Sequence, residues 1–149
     1  AQDATTASRL QGLGLKHVKN PGNLKLDAPA LGADDAELSA LQSTFANRPI
    51  WFGASTHANE ERSLGEAHRM IKASLPNVLT LIAPRHPDRG EALAKQLRAA
   101  GHKVAQRSQD EAPDADTDIY LLDTLGELGL FYRLSNIVLI GGTLIPVRH

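Results

Sequence analysis

Four short stretches of this sequence carry residue types suited to holding an anion. Ser55-Thr56-His57 offers two hydroxyls. Pro84-Arg85-His86-Pro87 holds a guanidinium between two prolines, and its planar fork matches a phosphate. Thr124-Leu125-Gly126-Glu127 reads as the start of a helix, where free backbone N–H groups attract negative charge. Its glycine would admit a ligand close to the backbone. Gly141-Gly142-Thr143 permits the same close approach. Each stretch also has an ordinary explanation. Ser and Thr cap helices, a surface Arg is usually only solvated, and most capping boxes bind nothing. Paired glycines commonly just turn the chain. The case rests on where the fold puts the four together.

Apolar runs and helical stripes supply that placement. Continuous apolar runs at residues 50–54, 78–83, 119–122 and 137–140 predict strands covered on both faces, as in a parallel sheet. Residues 17–20 and 103–106 are weaker strand candidates, the first equally readable as loop. Leu38-Leu41-Phe45, Leu64-Ala67-Ile71-Leu75, Leu93-Leu97-Ala100 and Leu125-Leu128-Tyr132 are helical stripes, with a weaker one at Ala7-Leu10. Asp34 with Glu37, and Thr124 with Glu127, predict capping boxes. The order after residue 48 is β-α-β-α-β-β-α-β, with a solvated link over 108–117. That order predicts a doubly wound α/β domain with a mostly parallel, Rossmann-like sheet. Ligands of such sheets bind beyond the carboxyl ends of the strands. All four stretches follow a strand, so all four should share one edge. Only seven residues follow Gly142, where a covering helix would be expected, so the chain reads as part of a larger unit.

Composition narrows the classes. The chain has 149 residues, 42% hydrophobic and 22% charged, enough for one domain with a real core. Sixteen Lys+Arg against seventeen Asp+Glu leave a net charge of -1, against a bulk nucleic-acid footprint. The absence of cysteine excludes disulfides and thiolate metal sites. No apolar run approaches the roughly 20 residues of a spanning helix, and residues 1–6 lack the pattern of a signal peptide. There is no P-loop, no G-x-G-x-x-G after a strand and no G-x-S-x-G elbow. His57 and His86 have no acidic partner at ligand spacing, which argues against a metal there. His68 reads as packing, and His17 and His102 as surface residues.

Five segments in order carry a family resemblance: Gly22-Asn23-Leu24-Lys25-Leu26-Asp27, Ala54-Ser55-Thr56-His57, Pro84-Arg85-His86-Pro87-Asp88-Arg89, Asp123-Thr124-Leu125-Gly126-Glu127-Leu128-Gly129 and Gly141-Gly142-Thr143-Leu144-Ile145-Pro146. The chain resembles the C-terminal, nucleotide-sugar-binding half of 3-deoxy-D-manno-octulosonic acid (Kdo) transferases. The resemblance implies the C-terminal half of a GT-B fold, truncated here, with residues 1–30 near the interdomain hinge. It implies a CMP-Kdo donor in this half and a lipid A precursor in an N-terminal half. Transfer would invert the anomeric carbon without metal or cofactor. Carried over, Arg85, with Pro84 and His86 beside it, would neutralise the CMP phosphate. The backbone of Leu125, Gly126 and Glu127 would hold the nucleotide. Ser55, Thr56, Gly142 and Thr143 would line the sugar-phosphate side. Lys25 belongs to the first motif, near the hinge. His149 stands near a family histidine, but Pro146-Val147-Arg148 departs from the run before it, so reduced CMP affinity is expected. The general base and membrane anchor belong to the N-terminal half, so this chain alone is expected to be soluble and inactive. The intact enzyme is expected at the cytoplasmic face of the bacterial inner membrane. Two other readings stay open: another GT-B nucleotide-sugar transferase, and a receiver-like interaction domain built on Asp123.

Overall fold

The computed structural model describes residues 1–45 and 48–144. Ala1–Ala30 form one compact unit and Leu31–His149 a second. The first contains helix α1 (Ala4–Gly12). Asp3 caps it by accepting from Thr6 N–H at 2.6 Å and from the Thr6 hydroxyl at 3.0 Å. Residues 17–20 take the loop alternative. A 3-10 turn, Leu24–Asp27, follows, with Lys25 exposed on it.

The second unit runs α2 (Asp35–Thr44), β1 (Ile50–Thr56), α3 (Glu60–Lys72), β2 (Leu79–Pro84), α4 (Gly90–Ala99), β3 (Val104–Gln106), β4 (Ile119–Leu121), α5 (Leu128–Leu134) and β5 (Ile137–Ile140). The strands form one sheet in the order β3-β4-β2-β1-β5, and all four pairings are parallel. This is the doubly wound α/β fold. The apolar runs are continuous because both faces are covered. Phe52, Ala54, Leu79, Leu81, Tyr120 and Leu122 pack with Phe45, Leu130, Phe131 and Leu134, from the α2 and α5 side. Ile82, Ile119 and Leu121 pack with Leu64, Leu93, Ala94 and Leu97 of α3 and α4. Phe52 is wholly buried and meets the Tyr132 ring edge-on, centroids 5.4 Å apart. β5 is the exception: Ile137 and Ile140 stay 67% and 51% exposed.

Charged side chains fasten both edges of the sheet. At the amino edge the Arg48 guanidinium donates to the carbonyls of Asn77 (3.0 Å), Asp114 (2.6 Å), Val78 (3.2 Å) and Thr117 (2.6 Å). One cation thus closes carbonyls that precede two different strands. Nearby, His68 is buried between Thr80 and Asp118. His102 corrects the sequence reading: it is only 6% exposed. The turn after α4 folds it under α3, where Gly65 leaves room for its ring. Burial depresses the affinity of both imidazoles for a proton, Asp118 opposing this at His68.

The helix after β4 also differs from expectation. The stripe suggested a helix opening at the Thr124–Glu127 box, but α5 begins at Leu128 and its N-cap, Glu127, makes no capping bond. The Thr124 hydroxyl donates to the Glu127 carboxylate, and the same carboxylate takes the Arg107 guanidinium. Side-chain pairing has displaced the reciprocal backbone bonds of a capping box. α3 is likewise shorter than its stripe, ending at Lys72 and leaving Leu75 44% exposed.

Phe52→Ala should cost about 3–5 kcal/mol through the cavity it leaves, read as a lower urea midpoint at unchanged slope. Arg48→Ala should cost about 2–4 kcal/mol by stranding carbonyls that now accept from a charged donor, measured in the same way.

Candidate functional site

β1 is central, with β2 on one side and β5 on the other. The chain leaves β1 towards β2, and only after β4 returns to the far side of β1 as β5. The switch of direction falls between the carboxyl ends of β1 and β5, where sheets of this kind place their ligand crevice. Ser55 and Gly142 stand at that crevice, and Arg85 follows the next strand over.

The end of β1 is irregular. Ala54 pairs with Ala83 and Thr56 with Pro84, so Ser55 is skipped in the ladder. Its φ is +54°, in the left-handed region that a serine rarely occupies. Such a bulge turns a side chain out of its strand, a device common beside functional sites. Across the crevice, a Cβ on Gly141 would lie 2.0 Å from the Ser55 carbonyl oxygen. Only glycine fits there, so the two turns touch through backbone.

Glu60 holds them in that contact. Its carboxylate has no solvent exposure and sits at the first position of α3. It accepts from His57 N–H at 2.8 Å, from Gly142 N–H at 2.9 Å to each oxygen, and from Leu144 N–H at 3.1 Å. Burial pushes this carboxyl up, but the backbone donors of His57, Gly142 and Leu144 outweigh it and hold it below the ordinary glutamate range. Beside it, buried Glu61 accepts from the Thr56 hydroxyl (3.1 Å) and the Arg89 guanidinium (2.8 Å). This ties the end of β1 to the turn that carries Arg85. Arg85 N–H also donates to the Thr56 carbonyl at 2.8 Å.

The proposed site residues fall into two groups. Those whose side chains are committed internally include Thr56, wholly buried, and Pro84, buried at the end of β2. Glu127 belongs with them. Arg107 bridges Glu127 and Glu37, touches the Tyr120 hydroxyl at 3.3 Å and lies 5.8 Å from the Phe131 ring centre. The Arg107 bonds pull the Glu127 carboxyl below its usual range, and the Arg107 guanidinium is held still more firmly charged. The others face solvent. Arg85 and His86 are exposed, and among the described residues their side chains form no hydrogen bond or ion pair. Leu125 is 83% exposed, and Gly126 has a φ of +86° in the turn before α5. Gly142 is exposed, and the Thr143 hydroxyl donates to the Ile140 carbonyl at 2.7 Å. Ser55 is half-buried. His149 lies outside the described residues.

The 125–127 turn borders two clefts on this edge. One, of about 460 Å³, is lined by Pro87, Asp88, Ser108, Asp123 and Leu125 among others. The second, about 290 Å³, lies between Asp34, Gly126, Glu127 and Leu130. Asp123, the candidate for a receiver-like acidic pocket, is taken up internally. It accepts from Gln106 Nε2 (2.8 Å) and from Ser108 N–H (3.0 Å) and hydroxyl (2.7 Å). It also lies so close to Gly90 that a Cβ there would be 2.0 Å from its Oδ2. Sequence reasoning missed Glu60 and Glu61. The sequence signal was present, two adjacent carboxylates at the start of an amphipathic helix, but it reads as ordinary first-turn acid.

A parallel Rossmann-like sheet with its loops gathered at the carboxyl ends of the strands defines a doubly wound α/β domain of the kind that binds ligands at that edge. The comparisons with known proteins make this specific. No family model matches the chain. It is 37% identical to the 3-deoxy-D-manno-octulosonic acid transferase of Haemophilus influenzae over 155 aligned positions, covering 100% of this chain and 35% of that enzyme. A probable mitochondrial 3-deoxy-D-manno-octulosonic acid transferase of Arabidopsis thaliana is 40% identical across 71% of this chain and 24% of its own length. The Bordetella pertussis transferase is 33% identical over 96% of this chain and 34% of its own length. Among solved structures, the C-terminal CMP-Kdo binding domain of WaaA from Acinetobacter baumannii superposes with a TM-score of 0.68 at 31% identity. That match covers 74% of this chain and 58% of that one. The chain is similar in sequence to part of the Kdo transferases, and in sequence and fold to the C-terminal CMP-Kdo binding domain of WaaA. It spans about a third of the length of the curated bacterial relatives named here.

Glu60→Ala should release the turn after β5 while leaving the remainder folded. Faster amide exchange at Gly142 and Leu144 and an upfield shift of both amide protons would report it. Because the Glu60 carboxyl is held below its unfolded value, its contribution is complete above the unfolded pKa of about 4.3 and fades as pH falls through the folded value. Acid titration should therefore loosen this turn in wild type, but change it little in Glu60→Gln.

Proposed function

We propose that this chain is the donor-binding part of an enzyme that moves Kdo from CMP-Kdo to a lipid A precursor. The observation that carries the reading is Arg85: an exposed guanidinium without a protein partner among the described residues, held at the carboxyl edge of the sheet one strand from the switch point. Homology to Kdo transferases and likeness to a CMP-Kdo binding domain support the choice of ligand.

In the proposed mode, Arg85 pairs with the CMP phosphate, and His86 lies beside it. The turn at Leu125, Gly126 and Glu127 supports the nucleotide through its backbone. Ser55, Gly142 and Thr143 border the sugar side. Departure of CMP leaves negative charge on phosphate as an oxocarbenium-like centre forms at the sugar. A guanidinium drawn onto the phosphate stabilises that developing charge without requiring a metal. The base that activates the acceptor hydroxyl, the lipid pocket and the attachment to the inner membrane are assigned to portions of the intact enzyme beyond this chain. Among the described residues no helix is long and apolar enough to cross a membrane. By itself the chain should bind donor and not turn over.

Titration with CMP in the presence of EDTA, followed by amide NMR, tests this. Shifts should cluster at Ser55-Thr56, Arg85-His86 and Leu125–Glu127, and be weaker with UMP. Arg85→Ala should weaken CMP by about 1.5–3 kcal/mol, roughly 10–150-fold, as expected for a charged hydrogen bond to phosphate. Arg85→Lys should fall between, since the ammonium keeps charge but loses the fork. An unchanged affinity in Arg85→Ala would remove this residue from the site. Shifts spread elsewhere would overturn the reading.

A further inference from the structure

At the amino edge of the sheet, opposite Arg85, three buried side chains converge for which the donor-binding role has no use. His68 comes from α3, His102 from the turn before β3, and Asp118 from the residue before β4. One ligand-capable atom from each lies within 4.8 Å of the other two. The His68 and His102 rings are nearly perpendicular, at 84°, with centroids 5.8 Å apart. The four-residue spacing between His68 and Lys72 also brings an ammonium to the same carboxylate.

Two of these groups are oriented from behind. His68 Nδ1 is 2.8 Å from the Thr80 hydroxyl, leaving Nε2 aimed at Asp118 Oδ1, 3.2 Å away. Asp118 Oδ2 accepts from Lys103 N–H at 2.9 Å, leaving Oδ1 towards the cluster. An outer partner on the second atom of each group is how proteins set the tautomer and aim of metal ligands. The third group, His102, is 6% exposed, yet neither ring nitrogen makes a hydrogen bond among the described residues. His102 lines clefts on two sides, so its ring is open to an incoming group. Beside it lies a cavity of about 340 Å³ between α3 and α4, lined by Arg62, Gly65, Arg69, Gln96 and His102 among others. The cavity gives solvent a path to His102, the one member of the three that lines it.

We propose that His68, His102 and Asp118 form a structural site for a divalent transition-metal ion of zinc type. Two imidazoles and one carboxylate suit such an ion, with bonds of about 2.0–2.2 Å. Binding it draws the three groups inward, moves the His68 proton to Nδ1 for donation to Thr80, and displaces Lys72 from Asp118. Lys72 can leave because its side chain is 44% exposed. The ammonium is thus the competitor that fills the position when metal is absent. The ion cross-links α3 to the lead-in segments of β3 and β4, far from the donor crevice, and takes no part in transfer.

The test is titration of the EDTA-stripped chain with Co2+, then displacement by Zn2+. The expected result is the intense visible spectrum of a four-coordinate site, lost on adding Zn2+, with a higher melting temperature in the presence of either ion. Direct ligand removal at buried His68 could unfold the chain, so the deciding variants are milder. His102→Ala should weaken Co2+ at least tenfold, and Thr80→Val about 10–100-fold by removing the outer partner. Lys72→Met should strengthen it by removing the competing cation. Failure to bind at submillimolar Co2+, or affinity unmoved by both His102→Ala and Lys72→Met, would overturn the proposal and leave a hydrogen-bonded His68–Asp118–Lys72 cluster.

Discussion

A carboxylate with no access to water governs the functional edge of this domain. Glu60 lies at the start of α3 and receives backbone N–H groups from the turn after β1 and the turn after β5. Isolated burial of a carboxylate is strongly unfavourable. Here the cost is offset because the donors are backbone amides that would otherwise lack partners at two strand ends. The arrangement resembles an anion seated in a nest of amides, with the anion supplied by the chain itself. The Gly142 and Leu144 amides are therefore already occupied. A phosphate bound at this edge as proposed would have to be met by side chains and by the neighbouring turns.

The same logic divides the charged residues into two groups. Arg48 closes carbonyls at one edge, Arg89 neutralises Glu61, and Arg107 holds Glu37 and Glu127 over the Phe131 ring. These cations are consumed in positioning the loops. Arg85 is held only through its backbone, and its head is left to solvent. A near-neutral chain thus still presents a local positive charge where the fold concentrates its loops. The bulge at Ser55 and the close backbone contact at Gly141 complete the edge, at a conformation that serine tolerates only under constraint.

Much of the architecture could be read from residue order. Runs of apolar residues without alternation require burial on both faces, which only a parallel sheet under helices supplies. The strands at 50–56, 79–84, 119–121 and 137–140, and the short one at 104–106, follow directly. Helix ends were less legible. Thr124 and Glu127 have the spacing of a capping box, yet Arg107, distant in sequence, takes the carboxylate and α5 starts later. His102 reads as a surface residue from its turn-forming neighbours Gly101 and Lys103. Its burial depends on Gly65 in another helix leaving space for the ring.

Sequence alone therefore determined the fold class, the edge on which loops gather and the exposed Arg85 flanked by prolines, because hydrophobic period and proline stiffness are local properties. Family resemblance was legible for the same reason: its motifs are the turns that follow strands. Only the tertiary structure decided which polar groups are spent inside the protein. The roles of Glu60, Glu61, Asp123 and Arg107 depend on partners from 3 to 84 residues away in sequence being brought within hydrogen-bond reach, as Glu60 is to His57 and to Leu144. No local pattern encodes such a meeting, since it arises from the order of strands in the sheet.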